Sequence, residues 1–236
     1  MRGADIPPFY AGEIGRQAAS LQRQGRRIVA MHFGQPTLGP PPAVVAAAHR
    51  AIDTGPNGYV ESLELRQRIA RHYAETCGLT IPVSRILLTS GASAALVATF
   101  TTLFAVGDRI GLARPGYPAY RNSLVALGRE PVEIDCGPSR AFRLDPQSLA
   151  SVDGPLHGLV VASPSNPTGS MLSREQLGAL AAACRARGTR LISDEIYHGI
   201  AYGSPAVTAL ECAPDAIVVN SFSKLYRMPG WRLGWL

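Results

Sequence analysis

A chain of 236 residues with 46% hydrophobic and 17% charged residues can bury a full core and is too apolar to be disordered. Its net charge of +6 is spread along the chain without a basic run, which argues against nucleic acid and leaves room for an anionic ligand such as a phosphate. The cysteines, Cys77, Cys136, Cys184 and Cys212, are scattered and give no sign of a disulfide framework or a zinc site. No apolar run is long enough for a signal peptide or a membrane span, so the expected location is the cytoplasm, with no membrane partner.

In chain order, Tyr10 to Gly25 carries Ile14, Ala18 and Leu21 at helical spacing, with Gly25 as the stop. Arg27–Phe33 reads as a short strand, and Gly34–Pro42 as a rigid, turn-rich connection. Pro41 and Pro42 suit the first turn of an alanine-rich helix that ends near Gly55. Gly55-Pro-Asn-Gly58 is a turn, and Ser62 caps a further helix reaching about Thr76.

From Arg85 onward the pattern changes to short aliphatic runs alternating with helical segments. The runs are Ile86–Thr89, Arg109–Ala113, Pro131–Asp135, Gly158–Ala162, Arg190–Ser193 and Ala216–Asn220. The helices between them include Ala92–Phe104, Ala119–Leu127 and Ser173–Arg187, the last opening on the capping box Ser173-Arg-Glu-Gln176. Strands that are apolar throughout need cover on both faces. The expected fold is therefore α/β, a three-layer sandwich with a mostly parallel sheet.

In such sheets ligands bind beyond the strand ends. Those ends here are Ser90-Gly-Ala-Ser93, Arg114-Pro-Gly-Tyr117, Ser163–Gly169, Asp194-Glu-Ile-Tyr197 and Ser221-Phe-Ser-Lys224, all rich in polar, aromatic or ionisable residues. Lys224 is the sole lysine; the other basic residues are arginines, which stay protonated and cannot serve as nucleophiles. Taken singly, each group has a bland alternative: a surface lysine, a helix cap at Gly91, a salt-bridged Asp194, a packed Tyr117. Together an amine, an anion cup, an aromatic face and a buried carboxylate match the needs of pyridoxal 5'-phosphate.

Three stretches carry a resemblance: Ser163-Pro-Ser-Asn-Pro-Thr-Gly169, Ser193-Asp-Glu-Ile-Tyr197 and Ser221–Arg232. In this order they resemble the class I/II aminotransferases, pyridoxal-phosphate enzymes of fold type I, from about Gly34 to the end of the chain. The resemblance implies that Lys224 forms the Schiff base with the cofactor and moves the substrate proton. It implies that Asp194 pairs with the ring nitrogen, that Asn166 and Tyr197 bond the phenolic oxygen, and that Tyr117 stacks on the ring. Gly91, Ala92, Ser93, Ser221, Ser223 and Arg232 are implied as the phosphate site. Tyr59 is implied to reach the neighbouring subunit's cofactor in a homodimer, although Glu64-Leu-Arg66 follows it sooner than in the family's pattern. Gly34 and Asn166 are implied beside the substrate carboxylate.

The expected activity is amino transfer between an amino acid and a 2-oxo acid. A β-lyase, a decarboxylase or a cyclopropane-forming synthase of the same fold, or an inactive cofactor-binding relative, is the alternative. The expected organisation is an N-terminal segment, 1–33, contributing to a small domain, followed by a large cofactor-binding domain, 34–236, that is incomplete. The family's C-terminal small domain, with the arginine that takes the substrate carboxylate, is expected to be absent from this chain.

Overall fold

A computed structural model describes residues 6–56 and 58–236. The expected turn at 55–58 falls partly on Asn57, outside the described residues, as do the first five residues of the N-terminal segment.

Three helices come first: α1 (Tyr10–Arg23), α2 (Pro42–Thr54) and α3 (Leu63–Cys77). Gly25 (φ +83°) ends α1 as read: its amide donates to Gln22 O and the Arg26 amide to Leu21 O, which satisfies two orphan carbonyls. Pro42 opens α2, and the Ser62 hydroxyl caps α3 by accepting from the Leu65 amide. Only α3 buries side chains, Ile69 and Tyr73, against Trp235 and Ile86.

The remainder is a seven-stranded sheet: β1 (Leu88–Thr89), β2 (Arg109–Arg114), β3 (Glu130–Asp135), β4 (Gly158–Ala162), β5 (Arg190–Asp194), β6 (Ile217–Ser221) and β7 (Gly234–Trp235). The helices α4 (Ala92–Leu103), α5 (Pro118–Ala126), α6 (Pro146–Ala150) and α7 (Arg174–Ala186) are interleaved with it. Spatial order is β1-β7-β6-β5-β4-β2-β3; β2 to β6 run parallel, and β7 is antiparallel to both its neighbours.

Consecutive strand residues feed opposite cores. Leu159, Leu191 and Val218 pack with α7, whereas Val160, Ile192 and Val219 pack with α4 and α5. That two-sided demand is why these strands are apolar throughout; each such side chain contributes about 1.5–3 kcal/mol when fully buried. The capping box at Ser173 and Gln176 is formed in both directions.

Two expectations are corrected. Arg27–Phe33 is not a strand: it pairs with none of the described residues, and Val29 and Met31 are 76% and 87% exposed. An apolar run is not enough: without a neighbour for its amides and carbonyls no ladder forms. The run at Ile86–Thr89 yields only the two-residue β1, held by β7 at the sheet margin. In addition, α6 was not read from sequence, although Asp145 and Ser148 form a full capping box there.

Candidate active site

The direction of strand succession reverses between β2 and β4, which opens a crevice at their carboxyl ends. A cavity of ≈ 320 Å³ lies there, and its wall includes Gly34, Ala92, Ser93, Tyr117, Asn166, Asp194, Tyr197 and Lys224. The fold thus brings together residues separated by up to 190 positions, as the 2.5 Å hydrogen bond from Lys224 Nζ to Gly34 O shows.

Asp194 ends β5 and is 3% exposed. Its Oδ2 accepts from the Tyr120 hydroxyl at 2.5 Å and its Oδ1 from the Ile196 amide at 3.2 Å. Burial raises its pKa, while these bonds and the Lys224 charge act in the opposite direction. Lys224 Nζ is itself lowered by burial, with Asp194 acting in the opposite direction, so the amine loses its proton more readily than a surface lysine. It lies 5.7 Å from the centre of the Tyr197 ring. Burial pushes the Tyr197 hydroxyl up, with Asn166 acting in the opposite direction.

Opposite, Tyr117 is the residue before α5, packed edge-on against Phe9 (6.1 Å) and Tyr120 (5.3 Å). It is also part of the cavity wall. At the amino end of α4, Gly91 adopts φ +86° and ψ 171°, a conformation open essentially only to glycine. A Cβ there would fall 2.4 Å from Arg232 Nη2, and a Cβ on Gly234 would fall 3.0 Å from the Ala92 amide nitrogen. Close approach therefore sets Arg232 and β7 against the free amides of α4. Arg232 donates to Ser90 O and Pro229 O. Ser221 pairs with Gly234, and its Oγ accepts from the Ser223 amide at 3.2 Å.

Tyr59 is fully exposed and lies outside this cavity. Gly91, Ser221, Ser223 and Arg232 are not part of the cavity wall. The sequence reading missed Tyr120, the hydroxyl on Asp194, and the cavity wall formed by Phe9, His32 and Phe33. Tyr120 was legible in principle: it follows Tyr117 by three residues in a helix start, which puts both on one face.

A helix terminus joined by a guanidinium, a buried carboxylate and a desolvated amine fits a phosphorylated, cationic-ring aldehyde. Fold and crevice are those of the fold-type I pyridoxal-phosphate enzymes. The chain belongs to the family "aminotransferase class I and II", whose model matches residues 26–236, and members of this family use pyridoxal phosphate.

Among curated relatives, the chain is 47% identical to the valine–pyruvate aminotransferase of Mycobacterium tuberculosis, over 99% of this chain and 61% of that protein. It is 34% identical to a probable N-acetyl-LL-diaminopimelate aminotransferase of Bacillus subtilis, over 94% of this chain and 58% of the relative. The crystal structure of an aminotransferase from M. tuberculosis superposes with a TM-score of 0.95 at 45% identity, covering 100% of this chain and 62% of the other. Thermus thermophilus aspartate aminotransferase with maleate superposes with a TM-score of 0.94 at 31% identity, covering 100% and 64% respectively. The chain thus spans about three fifths of the length of the relatives it matches.

Proposed function

We propose that this chain carries the cofactor site of an aminotransferase that exchanges an amino group between an amino acid and a 2-oxo acid. The observation that carries the reading is the convergence of Lys224 Nζ and the buried Asp194 carboxylate on one cavity beside the α4 terminus. Family membership supports it.

When bound, pyridoxal phosphate supplies an aldehyde that takes up amines and a cationic ring that withdraws electrons from the substrate Cα. Asp194 would hold the ring nitrogen protonated, compensating a carboxylate that is otherwise costly to bury. Asn166 and Tyr197 would hold the phenolic oxygen, and Tyr117 the ring face. The amides of Ala92 and Ser93, at the turn that Gly91 shapes, with Ser221, Ser223 and Arg232, would hold the phosphate. Lys224 would anchor the aldehyde and then carry the proton between Cα and the cofactor at its Nζ, a role that a lowered pKa suits. Gly34 and Asn166 would lie by the substrate carboxylate.

For the donor side chain we favour an aliphatic one. Phe9 and Phe33 line the cavity together with His32, and a relative is named for valine and pyruvate. We further propose residues 34–236 as the large domain, a cytoplasmic homodimer as the working form, and Tyr59, which stands free of its own cavity, as a residue of the neighbouring site. The described residues contain no helix long and apolar enough to cross a membrane.

The test is Lys224→Ala in the full-length protein. Loss of the visible band of bound cofactor, together with loss of amino transfer from valine to pyruvate, is expected. A variant that keeps both refutes the reading.

A further inference from the structure

Behind the crevice lies a second group of titratable side chains that the proposed reaction does not use. Glu195 follows Asp194 and is 1% exposed. Its Oε1 accepts three hydrogen bonds, from Ser193 Oγ (3.0 Å), Thr208 Oγ1 (3.0 Å) and the Ala209 amide (2.8 Å). Its Oε2 has no hydrogen-bond partner and faces Nδ1 of His198 at 3.5 Å.

The other ring nitrogen of His198 settles what Oε2 can be. Nε2 lies 3.0 Å from the Ser163 carbonyl oxygen, which only accepts, so Nε2 carries a hydrogen. His198 is then either neutral, with a lone pair on Nδ1, or doubly protonated. A neutral ring opposite an ionised Glu195 would set two acceptors face to face in the interior. A doubly protonated ring would bury an ion pair on a single 3.5 Å contact, which does not compensate the desolvation of two charges.

The surroundings divide over Glu195: the three hydrogen bonds on its Oε1 favour ionisation, while burial, the largest influence, opposes it. Asp194 on the same strand opposes ionisation of Glu195, which faces Tyr73 and Cys77 of α3. His72 opposes a second proton on His198, and Glu211 acts the other way. Burial pushes Glu195 up to about 7 and His198 down to about 4.

We propose that Glu195 is held as the neutral acid, its Oε2 hydrogen directed at Nδ1 of a neutral, Nε2-protonated His198, and that the pair positions the Asn166–Tyr197 side of the crevice. Glu195 ties the end of β5, and with it Asp194 and Tyr197, to the turn at Thr208 and Ala209. His198 ties the same segment to Ser163, which also accepts from the Leu172 amide and opens the loop that carries Asn166. Glu195 and His198 are positioning residues. Their effect on the cofactor rests on the proposed function, whereas their protonation does not.

The experiment uses the full-length protein, cofactor-free for the protonation and loaded for the positioning. Nitrogen NMR of labelled histidines at pH 6 is expected to show His198 as the neutral Nε2–H tautomer. Glu195→Gln keeps an acceptor for the three donors and offers an amide hydrogen to Nδ1. It is expected to melt within about 3 °C of wild type at pH 5 and above it at pH 7. A doubly protonated His198, or a Gln variant that unfolds or melts well below wild type at both pH values, overturns the neutral acid. In the loaded protein, Glu195→Ala is expected to shift the pH titration of the visible band, and Glu195→Gln to restore it. Should the Ala variant not fold, His198→Phe, which cuts the link to Ser163, makes the same comparison. A titration unmoved by the substitution overturns the positioning role. A protein with no visible band at all refutes the cofactor reading and leaves the histidine result standing.

Discussion

The Tyr120→Phe substitution isolates one atom that the site depends on. The ring is fully packed at 7% exposure, so phenylalanine fills the same volume, and only the hydroxyl on Asp194 is lost. Hydrogen bonds to ionised groups contribute about 1.5–3 kcal/mol, and this one leaves behind a wholly buried carboxylate with only the Ile196 amide as donor. A cost of about 2 kcal/mol corresponds to a fall of roughly 4–8 °C in melting temperature for a chain of this size.

The pH dependence fixes the cause. The folded-state pKa of Asp194 is already raised, so its contribution to stability is fullest at low pH and is lost as pH rises through the folded value. Removing the Tyr120 donor raises that pKa further, so the variant loses stability relative to wild type above the pKa of Asp194 and little below it. Urea denaturation of both proteins, cofactor-free, at pH 7 and under mildly acidic conditions reads the difference. A variant as stable as wild type at pH 7, or equally destabilised at both pH values, would show that the hydroxyl does not act through the ionised carboxylate.

Two further outcomes follow from the same geometry. Gly91→Ala forces a side chain into a backbone conformation reserved for glycine and against Arg232, so it should cost about 1–3 kcal/mol and weaken retention of pyridoxal phosphate, read by urea midpoint and by cofactor titration. Glu195, raised by burial from an ordinary 4.5 to about 7, contributes stability that is complete below pH 4.5 and lost as pH rises to about 7. The non-titrating Glu195→Gln should therefore gain on wild type across that window by on the order of 3 kcal/mol. His198, lowered from 6.5 to about 4, loses its contribution as pH falls through that range, so in wild type the two slopes oppose each other between pH 4.5 and 6.5. Stability curves of both proteins from pH 4.5 to 7.5 provide the check, and a flat difference contradicts the neutral-acid assignment.

Much of the fold was legible because its signals are local. Gly158–Ala162 emerged as β4 with the bounds read from sequence, since a run apolar at every position satisfies only a strand covered on both faces. The Ser173–Gln176 box announced α7 because both of its hydrogen bonds lie within one turn. Arg27–Phe33 misled for the complementary reason: its apolar run is local, but a strand exists only where another segment supplies the ladder.

For the site, the residue types at the strand ends pointed to Lys224, Asp194 and Tyr117, and the resemblance added roles for Asn166 and Tyr197; a parallel sheet delivers such strand ends to one edge. What only the tertiary structure decided is what each group meets there. That Asp194 takes its proton donor from Tyr120, 74 positions away, and Lys224 bonds the Gly34 carbonyl 190 positions away depends on the spatial order of the strands. The sequence does not encode that order in any local pattern. The same holds for Glu195: it reads as an ordinary acidic neighbour of Asp194, and its burial against His198 exists only once β5, the Ser163 loop and the Thr208 turn are packed together. Pyridoxal phosphate was visible in the chain as an inventory of groups, whereas their convergence into one desolvated crevice is a property of the packed sheet.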